Sequence, residues 1–515
     1  MMIDRRLIEE QEIIINSTES KILVSAGPGS GKTHTLIKKA EKELRAIEEK
    51  SLNKGIIVCS FTREVSRELE KKLSNKVYNE FSYVGTIDSF ILNKIVIPFK
   101  NRILSKLLPK SPNIQGKLNV TIPPLDKNAL VNILTKDYLR ITEIENYYKK
   151  WINNLIDNNY EISFAAYLFA CDAIEKVPVV KQYFETLYNS IYVDEAQDLN
   201  YYQLKFIEKL IENTNINCYL IGDKRQSIYQ FRGAQPDLFY SMVGKGFKEY
   251  KLTYSARCHY NILEFARRIV GESTSKEVIS YNKQVSIDDT FIIKPDYFIS
   301  NDEYFILVET NKEAEEFYKR CLAAGVKNLI YSKAIELKSN KAFADNYQYI
   351  IEEILKFYYN HKNKVPKYAY SVEELIIFLD SIIDSKFLNY DSLSIKPAEK
   401  AINYIERIFK LSDVQIPKEI LNELGAQLFN QTVINHYTKY KVVNRVMTIH
   451  SSKGLESNKV FLKFERKEYG INAETKRKLF VGFTRAKNTL VIGFTGYRTS
   501  PLEKHIVSIY NSTFI

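Results

Sequence analysis

The feature that most constrains the fold is a glycine-rich turn set between an apolar run and a helical pattern. Residues 21–25 (KILVS) are a short buried-strand run, Gly27-Pro28-Gly29-Ser30-Gly31-Lys32-Thr33 follows at once, and residues 33–50 read as an amphipathic helix. A strand, a glycine turn and a helix in that order form a phosphate cradle. Glycines let backbone N–H groups close around phosphate oxygens, and the helix N-terminus adds partial positive charge. Gly27, Gly29, Ser30 and Gly31 form the loop, Lys32 reaches the β- and γ-phosphates, and the Thr33 hydroxyl ligates Mg²⁺. His34 beside it either touches the base or is solvated.

The same alternation continues. Residues 55–60 (GIIVCS), 190–193 (SIYV) and 217–222 (NCYLIG) read as further buried parallel strands, with helices over 62–72 and 202–213 between them. A second set of strands is expected at 304–308, 445–450, 459–463 and 489–494. Residues 100–185 and 335–438 lack the alternation and read as mostly helical, and they contain two breaks at 109–124 and 359–370. At 515 residues the chain exceeds one ordinary domain, and 45% hydrophobic with 26% charged residues excludes wholesale disorder. The fold class expected is α/β: two domains with parallel sheets, each interrupted by a mainly helical insertion.

Five cysteines stand singly at 59, 171, 218, 258 and 321, which argues against a disulfide framework, zinc or an iron–sulfur cluster. No apolar run approaches the length of a membrane span, and the N-terminal residues carry no signal-peptide core, so a cytoplasmic location is expected. The net charge of +12 suits phosphate neutralisation by Lys and Arg, but also serves solubility, so charge alone leaves nucleic-acid binding open.

The run Ile191-Tyr192-Val193-Asp194-Glu195 ends a buried strand with two adjacent carboxylates. Desolvating carboxylates is costly, so acids at such a position ask for a cation or a reaction. With a P-loop upstream, Asp194 is read as a Mg²⁺ ligand and Glu195 as the general base for the attacking water. Gln226, one strand further on in KRQSIYQFRGA, is placed to sense the γ-phosphate. Together these residues indicate a nucleoside triphosphatase.

At this point eight motifs, in order, resemble the UvrD/Rep/PcrA branch of superfamily 1 helicases, including Ser60-Phe61-Thr62, Gly85-Thr86-Ile87-Asp88, Asp194 to Asp198, Gly222 to Ala234, Leu252 to Arg257, Thr448 to Glu456 and Leu479 to Ala486. Gln11, 21 residues before Lys32, resembles that family's adenine-reading Q motif. The resemblance implies two RecA-like domains that sandwich ATP. The first (1A) is expected at 1–100 and 186–250 with an insertion (1B) at 101–185; the second (2A) is expected at 251–334 and 439–515 with a reduced insertion (2B) at 335–438. It further implies that Arg257 and Arg485 of the second domain reach the γ-phosphate, where arginines stabilise transition-state charge. Gly454 and Glu456 are expected at the nucleotide, Glu456 near the ribose or γ-phosphate. Phe61, Tyr229 and Phe231, with Arg232 beside them, are expected to stack on unpaired bases, and Thr62, Thr86 and His450 to hold strand phosphates.

Three departures stand out. Phe231 occupies a position where the family usually has Trp, Ser255-Ala256 replace an Asn-Tyr pair whose aromatic packs on adenine, and Asp88 stands where His is preferred. Size and local details resemble the helicase subunits of Gabija-type bacterial antiviral systems. That resemblance implies a 3′→5′ single-stranded DNA translocase working with an OLD-family nuclease that has ABC ATPase and Toprim domains. The alternatives are an ATP-gated sensor of DNA ends with little unwinding, and a short housekeeping repair helicase.

Overall fold

The computed structural model describes residues 5–60, 81–107, 150–151, 164–230, 234–272, 284–299, 303–327, 329–331, 415–428, 444–466, 471–496 and 499–514, with isolated positions between 335 and 406. The helix expected over 62–72, the breaks at 109–124 and 359–370, and most of the two expected insertions lie outside these residues. The chain forms two compact units, one of residues 1–274 with 471–484 and one of residues 275–470 with 485–515.

The first unit is built on strands β1 (Lys21–Ala26), β2 (Gly55–Ser60), β3 (Tyr83–Thr86), β4 (Tyr188–Asp194), β5 (Asn217–Gly222) and β6 (Lys248–Leu252). They form one sheet in the order β3-β2-β4-β5-β1-β6, every pair parallel. Along each central strand, alternate side chains enter two separate cores. Ile22, Val24, Ile56, Val58 and Ile221 meet Leu36, Ile37 and Leu44 of helix α2 (Lys32–Glu49) and Ile14 of helix α1 (Arg5–Asn16). Leu23, Ile57, Ile191, Val193 and Leu220 meet the opposite layer, which includes helices α3 (Ile87–Ile91), α4 (Phe164–Lys176) and α5 (Tyr201–Asn213). Burial on both faces explains why these strands read as continuous apolar runs. Each such aliphatic side chain contributes roughly 1.5–3 kcal/mol. The unit is completed by α6 (Tyr260–Ile269) and α7 (Ala473–Phe483), joined by stacked Phe265 and Phe483 rings with centroids 5.1 Å apart.

Parallel pairing carries the motif residues to one edge. The register sets Ser60 beside Thr86 and Asp194, and Ser25 beside Gly222, and Ala26 beside Leu252. Ligand sites of open parallel sheets lie at this carboxyl edge, where the loops meet. β6 was not expected from its sequence, KEYKL, because the strand lies at the sheet edge and is only partly buried, so it keeps charged residues.

The second unit contains a sheet of β7 (Val285–Ile287), β8 (Tyr304–Val308), β9 (Leu329–Tyr331), β10 (Asn444–Thr448), β11 (Ser457–Glu465) and β12 (Ala486–Thr495), ordered β7-β12-β11-β8-β10-β9 and again all parallel. Its core is aromatic: Phe298 meets Phe461 edge-on at 5.0 Å, with Phe291 5.2 Å from Phe461. The helix Asn311–Ala323 starts at a capping box, in which the Thr310 hydroxyl accepts the Glu313 N–H and the Glu313 carboxylate accepts that of Thr310. Two parallel sheets flanked by helices are the α/β class that the sequence indicates.

Candidate nucleotide site and strand-contact residues

The loop after β1 has the shape its glycines allow. Gly29 and Gly31 sit at φ +70° and +78°, a left-handed conformation that a side chain would strain. Both also face close neighbours: a Cβ on Gly29 would overlap the Cβ of Arg257, and one on Gly31 would overlap the Gln11 amide. Ser30 Oγ donates to the Gly27 carbonyl at 2.8 Å, and the Gly27 N–H donates to the Leu252 carbonyl at 2.9 Å. Lys32 and Thr33 then open α2, and His34 is solvent-exposed on its first turn.

Thr33 Oγ1 donates to Asp194 Oδ2 at 2.7 Å. Asp194 is fully buried. Burial, followed by the charge of Glu195, pushes its carboxyl up to about 6, against the opposing effects of the Thr33 hydroxyl, Lys32 and the Glu195 N–H. A buried carboxylate held against a hydroxyl, in a place that disfavours its charge, is an oxygen donor pair that fits a hard cation such as Mg²⁺.

Glu195 is one of two non-glycine residues with positive φ among the described residues (φ 53°, ψ 38°). Such a conformation costs of order 1 kcal/mol or more and persists only where neighbours enforce it. Its N–H donates to Asp194 Oδ1 at 2.9 Å, and Gln197 Nε2 donates to Glu195 Oε2 at 2.6 Å. Gln197 is fully buried, and its other amide atom, Oε1, accepts the Asp223 N–H at 2.9 Å. Ser227 Oγ donates to the Gln197 carbonyl at 3.1 Å. Gln197 therefore binds the acid pair after β4 to the turn after β5. In the sequence Gln197 stands inside the Asp194 to Asp198 motif with no role of its own; an amide two residues after a strand-end carboxylate is the signal that points to it.

The turn after β5 is organised by Asp223, for which the sequence alone indicates a Gly-Asp turn and no further role. Its carboxylate accepts from Gln226 Nε2 at 2.8 Å and from the Arg225 fork at 2.7 and 3.2 Å. Arg225 also pairs with Glu272 at 3.0 Å and lies over the Phe480 ring of α7, 5.0 Å from its centroid. The two carboxylates hold its guanidinium charged against the effect of burial. Arg477 of the same helix donates to the Ser227 carbonyl at 2.9 Å.

Arg257 lies in this first unit, although sequence reading assigned it to the second domain. The Ala256 N–H donates to the Gly29 carbonyl at 2.9 Å, so the loop carrying Arg257 crosses the P-loop. Gln11 completes the set, with Nε2 donating to the Ser30 carbonyl at 2.9 Å. Its helix is secured by the Lys39 ammonium, which donates to the carbonyls of Ile14 (3.1 Å) and Ser17 (2.7 Å) and caps the C-terminus of α1. Burial lowers the Lys39 pKa, with Glu43 opposing.

Phe61, Thr62, Phe231 and Arg232 lie outside the described residues. Tyr229 is half-buried. The Thr86 hydroxyl caps α3, accepting the Ser89 N–H at 3.2 Å and donating to Ser89 Oγ at 3.0 Å. Asp88 turns inward: Gln203 Nε2 donates to it at 3.1 Å, and the Tyr167 hydroxyl also donates to it. In the second unit His450 follows the C-terminal end of β10, whereas Glu456 and Arg485 precede the N-terminal ends of β11 and β12. Gly454 holds a left-handed turn, Glu456 pairs with Lys487 at 2.9 Å, and buried Arg485 donates to the Leu455 carbonyl at 3.2 Å.

Residues 7–142 and 107–245 match the model of the UvrD/REP helicase N-terminal domain, and residues 254–497 that of the UvrD-like helicase C-terminal domain. The chain is 25% identical over 500 residues to the Gabija protein GajB of Bacillus cereus (strain VD045), which covers 92% of each chain. It is 23% identical to the probable DNA helicase II homolog of Mycoplasma pneumoniae, over 95% of this chain and 84% of that protein. It is 25% identical to the ATP-dependent DNA helicase PcrA of Staphylococcus epidermidis, over 53% of this chain and 41% of PcrA. With these two domain matches spanning both units and the P-loop, acid pair and Gln11 gathered at one sheet edge, the chain belongs to the UvrD/REP helicase family and is an ATP-hydrolysing enzyme of the DNA helicase type.

Proposed function

We propose that this chain is an ATP-dependent 3′→5′ single-stranded DNA translocase and helicase that acts with a nuclease in a bacterial anti-phage defence complex. The observation that carries the catalytic part is the arrangement around Asp194: the Thr33 hydroxyl on its carboxylate and Glu195 held beside it in a left-handed conformation by Gln197. In this reading Lys32 and the P-loop backbone bind the β- and γ-phosphates, and Gln11 reads the adenine. Thr33 and Asp194 would hold Mg²⁺, which supplies charge stabilisation to the phosphates when bound. Glu195 takes the proton of the attacking water, Gln226 senses the γ-phosphate through the Asp223 turn, and Arg257 and Arg485 stabilise developing charge. Gly454 and Glu456 contact the nucleotide, and Phe61, Thr62, Thr86, Tyr229, Phe231, Arg232 and His450 contact the strand. The four domains are 1A, 1B, 2A and 2B with the bounds given above, apart from residues 251–272, which pack with the P-loop unit.

The defence role is supported by similarity to the Gabija protein GajB along nearly the whole of both chains. The partner proposed is an OLD-family nuclease with ABC ATPase and Toprim domains, and the location the cytoplasm; among the described residues no helix is long and apolar enough to cross a membrane. A second reading, an ATP-gated sensor of DNA ends with little unwinding, is favoured by Asp88, which is engaged inside the first unit in place of a strand-contacting His.

The test is ATP hydrolysis by the isolated chain with and without single-stranded DNA, followed by strand separation on a 3′-tailed duplex. Stimulation with unwinding supports the helicase and stimulation without unwinding the sensor; no hydrolysis in the presence of DNA and Mg²⁺ refutes both. Glu195→Gln is expected to keep ATP binding and to lose hydrolysis by about two orders of magnitude or more.

A further inference from the structure

We propose that Glu10 is a positioning residue that ties recognition of the base at Gln11 to the placement of Arg257, so that base selectivity in this enzyme is expressed in kcat. The inference rests on the function proposed above and adds a residue that none of its motifs contains.

Adjacent residues on a helix point about 100° apart, so one helix can grip two segments with two neighbours. Gln11 of α1 holds the Ser30 carbonyl of the P-loop. Glu10 instead holds Thr253, accepting its N–H at 2.7 Å and its hydroxyl at 2.5 Å with the two carboxylate oxygens. The remaining polar atom of Thr253, its carbonyl, accepts from Arg267 of α6 at 2.9 Å. All three are therefore engaged, and Thr253, though solvent-exposed, is tied at three atoms where the loop begins.

Little slack remains between that origin and Arg257. Ser255 Oγ accepts the N–H groups of Arg257 (3.2 Å) and Cys258 (3.3 Å), and Ala256 binds the Gly29 carbonyl through its N–H. The close approach of Arg257 and Ser255 to Gly29 leaves no room for a Cβ there. The arginine backbone is thus located by α1 at one end and by the P-loop at its middle. α1 is itself braced, by Lys39 at its C-terminus and by a 2.9 Å bond between Ser17 and Tyr250 of β6.

Ala256 offers no ring to a base, so discrimination rests more heavily on Gln11 and on whatever Gln11 moves with. A base that satisfies Gln11 settles α1, and Glu10 carries that setting to residues 253–257. A base that does not match leaves α1 displaced and Arg257 misplaced when charge develops, a loss seen in turnover.

The test is steady-state hydrolysis of ATP, GTP, CTP and UTP by the full chain with single-stranded DNA present, comparing wild type with Glu10→Ala, Glu10→Gln and Thr253→Val. Lys42→Ala, which removes the contact to Asn16 at the end of α1, is the control. The expected result is a 5- to 50-fold loss of kcat on ATP, about the range of ordinary coupling between sites, with KM for ATP and the melting temperature little changed. The other nucleotides lose less, so the preference for ATP in kcat narrows, while Lys42→Ala retains it. Equal losses on all four nucleotides, no loss at Glu10, or a wild type indifferent to the base overturns the clasp and leaves the ATPase reading standing. A wild type inert towards every nucleotide refutes the proposed function, and the clasp with it.

Discussion

Replacing Asp194 by Asn separates what this position does for stability from what it does for catalysis. The carboxyl is fully buried and its pKa rises from 3.8 to about 6. The native chain therefore holds this proton more tightly than the unfolded chain, and wild-type stability falls as pH rises through the window between those values. Above that window the ionised group costs roughly 3 kcal/mol, from 1.36 kcal/mol per pH unit. Asn keeps the local bonds: its carbonyl can accept the Glu195 N–H, and its amide can donate to the Thr33 hydroxyl, which serves as acceptor as readily as donor. With metal chelated at pH 8, Asp194→Asn is expected to be more stable than wild type by about 2–3 kcal/mol, or about 4–6 °C in melting temperature for a unit of this size. At pH 4.5 the advantage should shrink to about 1 kcal/mol, because the wild-type carboxyl is then largely protonated in the native state. The assay is calorimetric or urea unfolding of both chains at the two pH values, alongside ATPase measurements in Mg²⁺, where the variant should lose orders of magnitude. A variant no more stable than wild type at pH 8, or one whose advantage is the same at pH 4.5, refutes the reasoning.

Two further outcomes follow from contacts described above. Gly29→Ala places a Cβ against Arg257 and Ser255 at a φ of +70°, so ATP hydrolysis should fall by about 100-fold or more, equivalent to roughly 3 kcal/mol, with secondary structure retained by circular dichroism. Asp88→Ala removes the acceptor shared by Tyr167 and Gln203 and should cost about 1–3 kcal/mol in urea unfolding. Because that carboxylate is engaged inside the unit, single-stranded DNA affinity should stay within about 2-fold; a marked tightening on loss of the charge would show that Asp88 faces the strand.

The α/β class and the ATPase type could be read from the residues alone. Strands β1, β2, β4 and β5 were legible because a parallel sheet covered on both faces needs unbroken apolar runs. The P-loop was legible because phosphate binding demands glycine at positions such as Gly29 and Gly31. Asp194, Glu195 and Gln11 were legible as residue types at motif positions. Tertiary structure decided how those residues are held, through bonds between chain segments too distant for any local pattern to register. Thr33 meets Asp194 across 161 residues, and Glu10 meets Thr253 across 243. The left-handed Glu195 exists because Gln197, anchored to the Asp223 turn of a neighbouring strand, holds it there against an intrinsic cost. Arg257 joins the P-loop unit because edge strand β6 pairs beside β1, and that pairing is a property of the assembled sheet and invisible in a charged run such as KEYKL.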